Sequence, residues 1–269
     1  MSKLGIIAAK GNLSQKLVDS VQNKYDLFIV ALNGETNPAL LENIDHIWIN
    51  LGEIGKAITA LKEAKVDKLV FAGSLKKPDI FSLKVDALGA KLLAKILKNK
   101  FFGDDKLLSV LTIFLEEQNL KVVGVHEILE DLVVDKAIFT DLHPNKQDKI
   151  DIELARKVVT ELGKLDIGQG AIVQEGVVLG VEAIEGTDNL IKRCGEIKIS
   201  SNRGGVLVKL SKPGQELRMD LPTIGIETIK NIHQSGFKGI VIEAKKGIFL
   251  NREEAIEYAN KHELFIVSE

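Results

Sequence analysis

Short apolar runs alternate with longer amphipathic stretches along the first half of the chain. The runs at Leu4 to Ala8, Leu27 to Ala31, His46 to Ile49, Lys68 to Ala72 and Lys121 to Val125 predict five strands. Between them, Ser14 to Gln22 and Gly52 to Ala64 predict helices, the second with Ile54, Ala57, Ile58 and Leu61 on one face. Asp86 to Asn99 and Asp104 to Gln118 continue the helical pattern. Alternating strands and helices are the sequence form of a parallel sheet covered by helices, so an α/β fold is expected, with a Rossmann-like first domain.

The turn-rich Asp141-Leu142-His143-Pro144-Asn145 and the polar stretch after it set the expected boundary. Residues 1–148 then form the N-terminal domain with its linker, and 149–269 a C-terminal mixed α/β domain. Ile150 to Leu162 predicts a linking helix with Ile152, Ala155, Val159 and Leu162 at helical spacing. Two β-rich runs flank Glu175-Gly176, which is hairpin chemistry. Strands are expected at Gly205 to Lys209, Gly239 to Glu243 and Leu264 to Val267, and helices at Gly225 to Ser235 and Asn251 to His262.

Charge narrows the function classes. With 36 basic and 38 acidic residues, no positive excess exists to neutralise a nucleic-acid backbone. A single cysteine, Cys194, excludes an intrachain disulfide, and the five histidines lack zinc-ligand spacing. Met1 to Lys10 reads as a first strand rather than a leader. No window approaches the roughly 20 apolar residues that cross a bilayer, and the most apolar one, Ala171 to Ile184, is broken by Gln174, Glu175 and Glu182.

Five segments carry candidate chemistry. The turn at Gly11, Asn12 and Leu13 follows the first strand and could offer backbone N–H groups to a phosphate, although neither the dinucleotide fingerprint nor a P-loop triplet is present. Gly73-Ser74-Leu75-Lys76-Lys77-Pro78 follows another strand and brings two cations to the same sheet edge. A plain turn and a solvated basic loop explain these two segments as readily. Gly103-Asp104-Asp105 places two carboxylates at a helix start, where capping competes with ligand contact. Glu182, Glu185, Thr187 and Asp188 crowd around Gly186, and oxygen groups on a bend suit Mg²⁺ beside a substrate phosphate; an acidic surface loop is the plain alternative. Lys209, Arg218 and Asp220 frame a turn stiffened by Pro213 and Pro222, as phosphate-facing cations with a metal-binding or water-orienting carboxylate, or as an internal salt bridge.

The blocks Leu165-Asp166-Ile167-Gly168-Gln169-Gly170, Val181-Glu182-Ala183-Ile184-Glu185-Gly186-Thr187-Asp188, Gly205-Val206-Leu207-Val208-Lys209 and Asp220-Leu221-Pro222-Thr223-Ile224-Gly225 resemble those of the LpxI-type UDP-2,3-diacylglucosamine pyrophosphatases. Gly52-Glu53-Ile54-Gly55-Lys56 and Gly103-Asp104-Asp105 also resemble family blocks, so the resemblance covers nearly the whole chain. It implies Mg²⁺-dependent hydrolysis of UDP-2,3-diacylglucosamine to UMP and 2,3-diacylglucosamine 1-phosphate in lipid A synthesis, with water attacking the α-phosphorus between the two domains. The resemblance places the family's essential aspartate on Asp220; with Glu182, Glu185 or Asp188 it is expected to hold Mg²⁺ or orient the water, while Lys209 and Arg218 face phosphate. Substrate contacts fall on Gly11, Asn12, Leu13, Gly73, Lys76, Asp104, Asp105, Gln169 and Thr187. The chain departs from the family at Glu216, where many relatives carry aspartate, and in its first turn, where Ala9-Lys10 replaces a glycine-rich pair and Ser14 a proline. A cytoplasmic protein in peripheral contact with the inner membrane is implied, with a homo-oligomer left open. The rival readings are a Rossmann-type dehydrogenase or nucleotide-sugar transferase, and a noncatalytic lipid or nucleotide-sugar binding protein.

Overall fold

The structure is a computed structural model that describes residues 1–75, 79, 82–98, 104–200 and 203–269. It divides into two compact units, Met1–Glu130 with Glu216–Asp220, and Asp131–Gln215 with Leu221–Glu269.

The first unit runs β1 (Lys3–Ala8), α1 (Asn12–Val21), β2 (Asp26–Leu32), β3 (Asp45–Ile49), α2 (Ile54–Glu63), β4 (Lys68–Ala72), α3 (Ala87–Lys98), α4 (Asp104–Glu116), β5 (Val122–Val123) and the single turn α5 (Val125–Ile128). All five strands are parallel, in the order β3-β2-β1-β4-β5. Strands buried on both faces explain why β1, β2 and β4 read as nearly unbroken apolar runs. One layer of the core joins Val30, Leu32, Ile49 and Leu69 to Ala57, Ile58 and Leu61 of α2, Leu92 of α3 and Phe114 and Leu115 of α4. Because β2 and β3 lie on one side of β1 and β4 and β5 on the other, the order reverses between β1 and β4. In open α/β sheets, the carboxyl ends of the strands at such a reversal are where ligands bind.

The second unit runs β6 (Ala137–Ile138), α6 (Lys146–Lys164), β7 (Gly170–Gln174), β8 (Val177–Val181), α7 (Thr187–Glu196), β9 (Val206–Lys209), β10 (Thr223–Ile224), α8 (Ile226–Gln234), β11 (Gly239–Ile242), β12 (Ile248–Phe249), α9 (Arg252–Lys261) and β13 (Phe265–Ser268). Its six-stranded sheet has the order β6-β13-β11-β9-β7-β8; β13, β11 and β9 are parallel, and β6, β7 and β8 join antiparallel. Alternation along the strands sorts the core into two layers. Ala171, Val173, Val206, Val208, Val241 and Phe265 face Ile152, Ala155 and Val159 of α6. Ile172, Leu207, Ile240 and Ile266 face Leu190 and Ile191 of α7, Ile229 and Ile232 of α8, and Ala255 and Ala259 of α9.

The division falls at Glu130/Asp131 rather than at the expected 148/149. Residues 131–148 already serve the second sheet: β6 pairs with β13, and the expected boundary turn is the cap of α6. There the Asn145 side chain accepts the Asp148 N–H at 2.9 Å, and Asp148 accepts the Asn145 N–H at 2.8 Å.

Candidate active site

In the first unit, Gly11 opens α1 directly after β1, with φ 104°, and no side chain caps the helix. The N–H groups at Asn12 and Leu13 therefore stand at the carboxyl edge of the sheet without an acidic side chain in the first turn. Gly73 follows β4, on the other side of the reversal. A Cβ there would come within 2.6 Å of the Lys10 carbonyl oxygen, and φ is 103°, so this close approach requires glycine. Ser74 and Lys10 exchange backbone hydrogen bonds of 2.7 and 3.2 Å, and Ser14 Oγ donates to the Ala72 carbonyl at 2.7 Å. Ser14 thus ties α1 to β4. Lys76, Lys77, Pro78, Gly103 and the Asp104 side chain lie outside the described residues.

Glu216–Asp220, although late in the sequence, belongs to this first unit. The Glu216 N–H donates to Asp105 Oδ1 at 2.7 Å, and Met219 packs against the apolar core. Arg218 Nε and Nη2 both donate to the Glu216 carboxylate at 2.8 Å, and Nη1 donates to Glu116 Oε1 at 2.6 Å. The Arg218 hydrogen bonds hold the Glu216 carboxyl below its ordinary range, and the same contacts push Arg218 higher still. Asp220, half-buried, closes the segment with its N–H donating to the Glu216 carbonyl at 3.3 Å.

In the second unit, three of the expected residues form one row, its two ends buried and Thr187 half-buried between them. Lys209 ends β9 opposite Gly170, the first residue of β7, and Glu182 follows β8 with its N–H on the Gly170 carbonyl at 2.8 Å. Lys209 Nζ donates to Thr187 Oγ1 at 2.6 Å, and Thr187 Oγ1 donates to Glu182 Oε1 at 2.7 Å. Glu182 and Lys209 are each 6% exposed. Glu182 Oε2 is buried without a hydrogen-bond partner, as is the nearby loop's Gln169 Oε1. A Cβ at Gly170 would sit 2.6 Å from Glu182 Oε2, so the bare glycine leaves room for this carboxylate.

The other two acidic candidates turn elsewhere. Glu185 accepts from Arg193 Nε and Nη2 at 3.1 and 2.7 Å; burial works to raise its carboxyl, but these bonds prevail and hold it low. Asp188 is exposed and accepts from Asn231 at 2.9 Å. The expected Mg²⁺ set is thus not gathered within the second unit, and among the described residues no group of three His, Cys, Asp or Glu side chains is placed to hold a metal. Sequence reasoning also missed Glu243, just past β11, which accepts from the Ser211 N–H at 2.8 Å and from Ser211 Oγ. Its position at the carboxyl end of a parallel strand, directly before a turn, was the available signal.

The comparisons agree in both halves. A model described as LpxI N-terminal domain matches residues 3–132, and one described as LpxI C-terminal domain matches residues 135–267. A curated protein of Caulobacter vibrioides, UDP-2,3-diacylglucosamine pyrophosphatase LpxI, is 36% identical over 273 residues, covering 99% of this chain and 97% of its own. Among solved structures, N5-carboxyaminoimidazole ribonucleotide synthetase from Thermotoga maritima matches 75% of this chain and 44% of its own at 14% identity and a TM-score of 0.24, too low a likeness to argue from. With both domain models matched in order and a curated relative aligned almost end to end, this chain belongs to the LpxI family.

Proposed function

We propose that this chain hydrolyses UDP-2,3-diacylglucosamine to UMP and 2,3-diacylglucosamine 1-phosphate, a step of lipid A biosynthesis. The observation that carries the reading is the 36% identity to a pyrophosphatase of that substrate over 99% of the chain. In the reaction, water oxygen bonds to the α-phosphorus, the bridge to the β-phosphorus breaks, and the bridging oxygen leaves with the lipid phosphate.

Pyrophosphate cleavage needs an oriented water and neutralised phosphate oxygens. Asp220 is assigned the water, which it orients and from which it accepts a proton. Lys209, held by Thr187, is assigned a phosphate oxygen. Arg218 is neutralised by Glu216 and Glu116, so it acts as the brace of the Asp220 segment rather than as a phosphate clamp. The uncapped N–H groups of Asn12 and Leu13 suit the nucleotide's phosphate at the sheet reversal.

The residues fit a magnesium ion in one respect: Glu182 Oε2 is a buried carboxylate oxygen without a partner, and Mg²⁺ is commonly held by one or two carboxylates with substrate phosphate and water. Glu182 would hold the ion, which when bound supplies positive charge to the phosphates. Glu185 and Asp188, spent on Arg193 and Asn231, are left out of the set.

The decisive experiment is turnover in ¹⁸O-water. UMP is expected to be released with the label on its phosphate. Label on the lipid phosphate would overturn attack at the α-phosphorus, and binding of the substrate without release of UMP would favour a noncatalytic carrier.

A further inference from the structure

We infer that Thr187 is a positioning residue of this hydrolysis, aiming Lys209 and Glu182 rather than touching substrate; the inference rests on the reading above. A threonine hydroxyl has one proton and two lone pairs. Here the proton goes to Glu182 Oε1 at 2.7 Å, and a lone pair takes a Lys209 N–H at 2.6 Å. With its proton given up, the hydroxyl has nothing to donate to a phosphate. What it does instead is fix two charged side chains that would otherwise be free to turn. Lys209 carries its ammonium on a flexible four-carbon stem, in a position only 6% exposed. Thr187 pins one of the three N–H groups and leaves two for phosphate oxygens. The same hydroxyl takes Oε1 of Glu182, so that Oε2 alone is presented without a partner.

The local structure holds the hydroxyl itself in place. Thr187 is the first residue of α7, directly after Gly186 at φ 78°, so its backbone is set by the helix. A β-branched side chain has few rotamers, which narrows the direction of Oγ1 further. Lys209 is fixed from the other side by β9, whose register places it opposite both Gly170 and Ile242. The row is therefore built across a strand, a loop and a helix start. The hydroxyl is the atom that connects its two charges.

The test is steady-state turnover of UDP-2,3-diacylglucosamine by the wild type, Thr187→Val and Thr187→Ser, with melting curves to establish that each is folded at the assay temperature. Valine keeps the shape and removes the hydroxyl; serine keeps the hydroxyl. Misaimed groups cost on the order of 10²-fold, so T187V is expected to lose about that factor in kcat with KM within about threefold of wild type. T187S is expected to stay within about threefold of the wild-type kcat. A folded T187V with wild-type kcat overturns the proposal, as does a T187S as slow as T187V, the result for a merely structural methyl contact. A raised KM at unchanged kcat also overturns it, because it would make Thr187 a substrate contact. Should T187V not fold, Thr187→Cys is read instead: its weakly bonding thiol should be slower than serine, and equality with serine counts against the proposal. If the wild type releases no UMP, the functional reading fails and the proposal with it, whereas equal wild-type and T187V rates remove the proposal alone.

Discussion

At the scale of single residues, two carboxylates make separable predictions. Asp220→Ala is expected to lower kcat by at least about 10²-fold, with Glu216, Arg218 and Met219 still anchoring the segment in the folded protein. Normal turnover by the alanine protein would remove Asp220 from the water. Glu243 concerns stability instead. Burial works to raise its carboxyl, but the Lys246 and Ser211 hydrogen bonds prevail and hold it below the ordinary range. A folded-state value below the unfolded one gives stability that is complete above about pH 4.3, the ordinary value, and is lost as pH falls through the folded one. Glu243→Gln should therefore show a shallower loss of melting temperature than the wild type on going from pH 6 to the acid range. Parallel curves for the two proteins would refute it.

At the scale of elements, the β7–β8 hairpin turns on Glu175 and Gly176, with φ of 52° and 78°, the paired positive angles of a type I′ turn. Asp151 of α6, 1% exposed, accepts both turn N–H groups, at 3.0 and 2.7 Å. Asp151→Ala is expected to cost about 1 to 2 kcal/mol, water replacing part of the loss at the exposed turn. A urea midpoint equal to wild type would contradict this. The turn was legible in advance because its signal is local, and so was β4, which runs from Lys68 to Ala72 as expected. Lys121 to Val125 was read too long: Glu127 accepts the Gly124 N–H at 2.7 Å and starts a helical turn where the apolar run suggested strand. The two-residue strands β6, β10 and β12 have no periodicity of their own and exist through their partners. Helix α7 was missed because its first residues are the polar Thr187, Asp188 and Asn189, which read as a loop; Leu190, Ile191 and Cys194 carried the signal. Of the candidate site, Glu182, Thr187 and Lys209 were named from sequence and do meet. The sequence did not reveal that Glu185 and Asp188 are taken by Arg193 and Asn231, since those pairings depend on how α7 packs beside β8 and α8.

At the scale of the whole molecule, no helix among the described residues is long and apolar enough to cross a membrane. Yet the segments beside Glu182 carry Leu165, 71% exposed, and Ile184, 87% exposed. Under the proposed function, a lipid surface is what these two side chains would meet. Flotation with liposomes should carry a fraction of the wild type upward, and less of a Leu165→Ser/Ile184→Ser protein. Equal flotation of the two would discard the surface. The excursion of Glu216–Asp220 has a different consequence. The chain passes between units at 130/131, at 215/216 and at 220/221, so no single cut separates them. A fragment ending at residue 130 would lack Arg218 against Glu116 and Met219 against its core, while a fragment starting at 131 would carry that five-residue loop with nothing to seat it. In the exchange of gene segments among relatives, the first half and this short loop therefore have to travel together: a crossover at the midpoint joins an Asp220 loop from one parent to the scaffold of another.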